Sequence, residues 1–129
     1  MVDAVREIPG APAPVGPYSP AVVKGDLVFC SGQIGLDPSS GKLKEGLADQ
    51  LDQVLVNLEA VLKASGSSVN DILQSTIFLT DIKDGALVNE VYGKFVSPEA
   101  PPARQTVAVK DLPLGAVVEI SAIAQVSKA

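Results

Sequence analysis

Two residues of this chain have the chemistry to act on a small acidic substrate, Arg104 and Glu119. Arg104 is one of two arginines; it follows Pro101-Pro102-Ala103 and opens a β-prone run. The planar guanidinium fork meets a carboxylate with two parallel hydrogen bonds, which lysine cannot copy, and a stiff proline lead-in fixes where the fork points. The same placement equally suits a surface arginine at a strand end. Glu119 interrupts the apolar run Val117-Val118-Glu119-Ile120. A carboxylate there is either a solvent-facing residue on an edge strand or a general acid–base. In the second case apolar walls raise its pKa and a nearby arginine lowers it.

The remaining candidates are less specific. Tyr18 sits in the loop Gly16-Pro17-Tyr18-Ser19-Pro20, where its hydroxyl lines a pocket or its ring simply anchors the loop. Ser31 follows a strand-like run; it has no histidine base and no Gly-x-Ser-x-Gly elbow, so a hydrogen bond into a pocket fits better than a nucleophile. A strand-end serine is the plainer alternative. Cys30 reads as a small buried hydrophobe. Asn89 is either an exposed helix residue or a polar group that steadies a loop.

Composition excludes much else. There is no histidine, which removes Ser/His and Cys/His catalysis and most zinc sites. The single cysteine cannot form an internal disulfide, which fits a reducing compartment. The net charge is −5 and the eight lysines are scattered, so nucleic acid and anionic membranes are poor partners. Neither a secretory signal nor a run of about 20 apolar residues is present, and the cytoplasm is the expected location.

The elements that must hold these residues follow from periodicity. Residues 9–20 carry five prolines and form an ordered loop rather than a helix or central strand. Ala21–Lys24 and Leu27–Ile34, split by Gly25-Asp26, read as a hairpin. Leu47, Leu51, Val54, Leu55, Leu58 and Leu62 recur at steps of three and four, the mark of an amphipathic helix that stops near Gly66. A β-branched run over residues 71–80 is a strand, and Leu87, Val91 and Phe95 mark a second helix closed off by Pro98, Pro101 and Pro102. Strands at 104–109 and 117–126, joined by Leu112-Pro113-Leu114-Gly115, finish the chain. With a short additional strand at 4–8, the order is that of one α/β (α+β) sandwich domain over residues 1–129, a mixed six-stranded sheet with two helices on one face. The strand at 117–124 is apolar on both sides apart from Glu119 and Ser121, and the strand at 72–79 is similar. The helix-free face is therefore expected to be covered by further copies of the chain.

Six segments carry a resemblance when taken together. They are Gly16-Pro17-Tyr18-Ser19-Pro20-Ala21, Phe29-Cys30-Ser31-Gly32-Gln33-Ile34, Phe78-Leu79-Thr80-Asp81, Val88-Asn89-Glu90-Val91-Tyr92, Pro101-Pro102-Ala103-Arg104 and Leu112 through Ile120. In that order and spacing the chain resembles the RidA (YjgF-type) reactive intermediate deaminases. The resemblance implies a chorismate-mutase-like fold and a homotrimer with active sites between subunits. It implies substrates such as 2-aminoacrylate and 2-imino acids, and no cofactor. It assigns the carboxylate grip to Arg104 and the water-activating acid to Glu119, with Tyr18, Ser31, Gly32, Asn89 and Thr106 around the substrate. The chain departs from the usual pattern at Gln105, where a small residue is common, and at Thr106, where many members have cysteine. Some members are also credited with ribonuclease or translation-inhibitor activity, and a non-catalytic ligand-binding or chaperone-like trimer is a third reading.

Overall fold

In the computed structural model, residues 3–128 are described. They form strands β1 (Asp3–Val5), β2 (Ala21–Lys24), β3 (Leu27–Gln33), β4 (Ile72–Leu79), β5 (Ala103–Ala108) and β6 (Val118–Gln125), with helices α1 (Leu47–Ala64) and α2 (Gly85–Phe95). The sheet order is β1-β2-β3-β6-β4-β5; the β4–β5 pair is parallel and the others antiparallel. The mixed six-stranded sheet and both helices are therefore as expected. The short first strand lies at 3–5 rather than 4–8, because residues 6–8 already belong to the proline-rich loop.

Strand alternation sorts the sheet residues onto two faces, since directly paired residues point the same way. One row runs Cys30–Ala122–Ser75–Arg104 and a parallel row holds Ile120, Ile77 and Thr106. This is the face that the helices cover. Leu51, Val54, Leu58, Val61 and Leu62 of α1 pack on Val28, Ile77, Ile120 and Ala124 in one core, joined by Val88 and Tyr92 of α2. The Tyr92 hydroxyl meets the Ser75 hydroxyl at 2.9 Å, which satisfies two polar groups inside that core. Cys30 is buried here too, and burial pushes its thiol up to about 12. It is an inert packing residue, the small buried hydrophobe that the sequence suggested.

The other face carries the rows Phe29–Ile123–Gln74, Ser121–Thr76–Gln105 and Glu119–Phe78–Val107. No helix covers it. Leu27, Phe29 and Val107 are exposed on it, although each belongs to a strand that is well paired on at least one side. A second, smaller core of Ile34, Leu36 and Ala116, with Leu43 and Leu112 against it, closes one end of the sheet. It anchors the segments that lead out of β3 and into β6.

Candidate active site

The proline-rich loop, the end of β3 and the start of β6 enclose a cavity of about 310 Å³. Its walls are Pro12, Pro14, Val15, Ile34, Leu36 and Pro113, with Tyr18, Ser31, Gly32 and Glu119 supplying the polar surface. Five prolines make this loop stiff enough to act as a wall without regular hydrogen bonding. It is tied down at two points. The Ser31 hydroxyl donates to the Ser19 carbonyl at 2.7 Å, and the Ser31 N–H to the Pro20 carbonyl at 2.9 Å. From the other side the Arg6 guanidinium donates to the Ser19 hydroxyl at 3.1 Å. Ser31 therefore spends its hydroxyl proton on the loop and faces the cavity as an acceptor. Leu114, next to the Pro113 wall, takes a left-handed φ of 57° that a branched side chain rarely adopts.

Glu119 is half-buried, and desolvation raises its carboxyl pKa above the ordinary value. Its side chain lies across Gly32. A Cβ at position 32 would stand 2.5 Å from Glu119 Oε2 and 2.7 Å from Cδ. The missing side chain is thus what lets the carboxylate reach its position, a role that a backbone contact to substrate does not require. Replacing Gly32 by Ala is expected to displace the carboxylate and lower kcat roughly tenfold, with little change in Tm, because the Glu119 tip can swing aside. Steady-state kinetics beside a thermal melt checks this; unchanged kcat would remove Gly32 from the acid's support.

Arg104 lies elsewhere. It belongs to the helix-side row, at the sheet edge, with its guanidinium 5.4 Å from the centre of the Tyr92 ring. Glu119 points from the opposite face, two strands over and three residues further along, a separation of about 10 Å in each direction within the sheet. Among the described residues no carboxylate pairs with Arg104. Thr106 shares its face, and the Thr106 hydroxyl oxygen is buried without a hydrogen-bond partner among the described residues. Asn89 is exposed on α2, three residues before Tyr92 and therefore on the neighbouring helix surface. The sequence candidates thus fall into two groups: Tyr18, Ser31, Gly32 and Glu119 at the cavity, and Asn89, Arg104 and Thr106 at the opposite edge.

Tyr92 was not among the sequence candidates. As the fourth residue after Val88 it reads simply as core; its ring becomes notable only once β5 lays Arg104 across it. The apolar walls from Pro12, Pro14, Val15 and Pro113 were equally silent, since loop prolines carry no periodicity.

Fold and site together describe a small α/β protein with an acid set in an apolar cleft and a free arginine on the far edge of the same sheet. The chain belongs to the family described as Endoribonuclease L-PSP, whose pattern it matches over residues 9–126, in agreement with the RidA/YjgF resemblance. It is 47% identical over 123 residues to a RutC family protein of Aquifex aeolicus, covering 93% of this chain and 98% of that one. It is 44% identical over 115 residues to the mouse 2-iminobutanoate/2-iminopropanoate deaminase, covering 88% and 84% of the two chains. Among solved structures, Escherichia coli TdcF with bound serine superposes with a TM-score of 0.90 at 40% identity, covering 97% of this chain and all of that one (100%).

Proposed function

We propose that this protein hydrolyses 2-imino acids and their enamine tautomers to 2-keto acids and ammonia, as a homotrimer whose active sites are each shared by two subunits. The observation that carries the proposal is the Glu119 carboxyl, desolvated in an apolar cavity, combined with an Arg104 that its own chain cannot bring to it. An uncovered sheet face bearing Phe29, Leu27 and Val107 supplies the surface on which further copies would pack. A neighbouring subunit's edge would then present Arg104, Asn89 and Thr106 to the cavity mouth. The unpaired guanidinium suits a substrate carboxylate, and Thr106, whose hydroxyl oxygen is buried, would contribute backbone groups of the edge strand. The relation to a 2-iminobutanoate/2-iminopropanoate deaminase, and to a protein that binds the amino acid serine, supports a substrate of that size and charge.

The chemistry is modest. Glu119, ionised, takes a proton from a water as its oxygen bonds to the imine carbon. The substrate reacts as its protonated imine, so the C=N electron pair moving to nitrogen neutralises that charge and gives a carbinolamine. Glu119 then passes its proton to the amine, the C–N bond breaks and ammonia leaves, and the hydroxyl proton goes to the Glu119 carboxylate and on to solvent as the keto group forms. One carboxyl group shuttles one proton each way, and no histidine or metal is required. The description of the family as endoribonuclease names a different reaction; a net charge of −5 with scattered lysines disfavours a polyanionic RNA substrate.

The test is ammonia release from 2-aminoacrylate, 2-iminopropanoate and 2-iminobutanoate generated freshly in the assay. Release well above the spontaneous rate is expected. A rate equal to the spontaneous one, with purified protein cleaving RNA instead, would overturn the proposal.

A further inference from the structure

Helix α1 turns three polar side chains toward the sheet side, Gln50, Gln53 and Asn57, amid a row of leucines and valines. Gln50 and Asn57 are buried, Asn57 completely. Asn57 and Gln50 each have a specific backbone partner, and Gln53 bonds to Asn57. The Asn57 amide nitrogen donates to the carbonyls of Ile34 (3.2 Å) and Leu36 (2.9 Å). Its oxygen accepts from the Gln53 amide at 2.8 Å, which settles which way the Asn57 amide faces. The Gln50 side-chain oxygen accepts from the Val117 N–H at 2.9 Å, two residues before Glu119. Between the two anchored carbonyls, Gly35 touches α1 directly: a Cβ there would sit 2.7 Å from Gln50 Cα.

The two segments fixed in this way are the ones that flank the acid. Ile34 and Leu36 line the cavity with Glu119, and Val117 leads into the strand that carries it. We propose that Asn57, oriented by Gln53 and seconded by Gln50, is a positioning residue for the Glu119 cavity, holding the 34–36 segment down on α1 so that it forms the cavity's apolar wall. Two carbonyls drawn to one amide, over a residue with no side chain, leave the segment no freedom to lift. When it lifts, water reaches the carboxylate from behind and the site loses both its shape and its dryness. Among the described residues of one chain, Tyr18 is the only other titratable group lining the cavity, so within the chain it is the dryness of this wall that sets the state of Glu119.

The role rests on the deaminase reading only for its kinetic consequence, and the experiment separates the two. Asn57→Asp keeps the size and the acceptor for Gln53 but removes both N–H donors. Gln53→Met leaves Asn57 in place but frees its amide to turn over. In the full-length chain, carbon-13 NMR titration of the Glu119 carboxyl is expected to move toward the ordinary carboxylate value in both variants. Both should lose roughly tenfold in kcat on 2-iminobutanoate with a smaller change in KM. Glu119 titrating as in the wild type in either folded variant would overturn the proposal. If Asn57→Asp fails to fold, the part-buried Gln53→Met decides alone. A wild type that releases no ammonia would overturn the proposed function, and the titration would still decide the role of Asn57.

Discussion

Glu119→Gln is expected to lower kcat for imine hydrolysis by about 10²–10⁴-fold, the usual contribution of one well-placed acid–base group, while leaving KM nearly unchanged. Glutamine keeps the shape that lies across Gly32 but can neither accept the water's proton nor return it. The pH dependence carries an independent check. Burial raises the Glu119 carboxyl pKa, so the group stays protonated to a higher pH than an exposed glutamate. A base must be ionised, so wild-type kcat falls as the pH drops through this raised value, and the limb is missing from the variant. The stability sign runs the other way. A carboxyl whose folded pKa is raised binds its proton more tightly in the folded state, so its favourable contribution is complete below the unfolded value. It is lost as the pH rises through the folded one. At neutral pH the neutral amide removes a desolvated charge, and the Tm of Glu119→Gln should equal or exceed that of the wild type. A variant that loses activity together with stability would point to misfolding and not to lost chemistry.

Arg104→Ala should bring ammonia release down to the spontaneous rate, and Arg104→Lys should recover little of it, because an ammonium cannot form the paired hydrogen bonds of the guanidinium fork. Loss of the stack on Tyr92 would cost only about 0.5–1 kcal/mol of stability at so exposed a position. The more informative result comes from combining variants. Within one chain Arg104 and Glu119 are on opposite faces of the sheet, so a substrate held by both must bridge two subunits. Co-expression of Arg104→Ala with Glu119→Gln under two tags, and purification through both, gives mixed oligomers. In a cyclic trimer that carries both variants, one interface of the three receives arginine from one partner and glutamate from the other, so about a third of the sites should be intact. Activity near that fraction of the wild type is expected from two parents that are each inactive. Mixed oligomers as inactive as their parents would show that the two residues do not serve one site.

The elements were legible in the sequence because each obeys a local rule. The leucine spacing of α1, the Gly25-Asp26 hairpin and the β-branched run of β4 all reflect periods of 3.6 or 2 that neighbours along the chain must share. The chemical identity of the candidate residues was legible as well: an arginine behind prolines and a glutamate inside an apolar strand are anomalies visible without coordinates. Asn57 was not, since a polar residue inside a helix is unremarkable until its amide is seen to hold the Ile34 and Leu36 carbonyls.

What only the tertiary structure decided is which candidates share a place. Arg104 and Glu119 sit on strands separated by β4, and whether they meet depends on the register of two strand pairs and on the parity of each position within them. Register is set by contacts between segments distant in the chain, and a shift of one residue would exchange the faces. The residue types and the two helices are thus properties of the sequence read locally. The division of the site into an acid cleft and a remote arginine edge arises from long-range pairing, which no local pattern encodes.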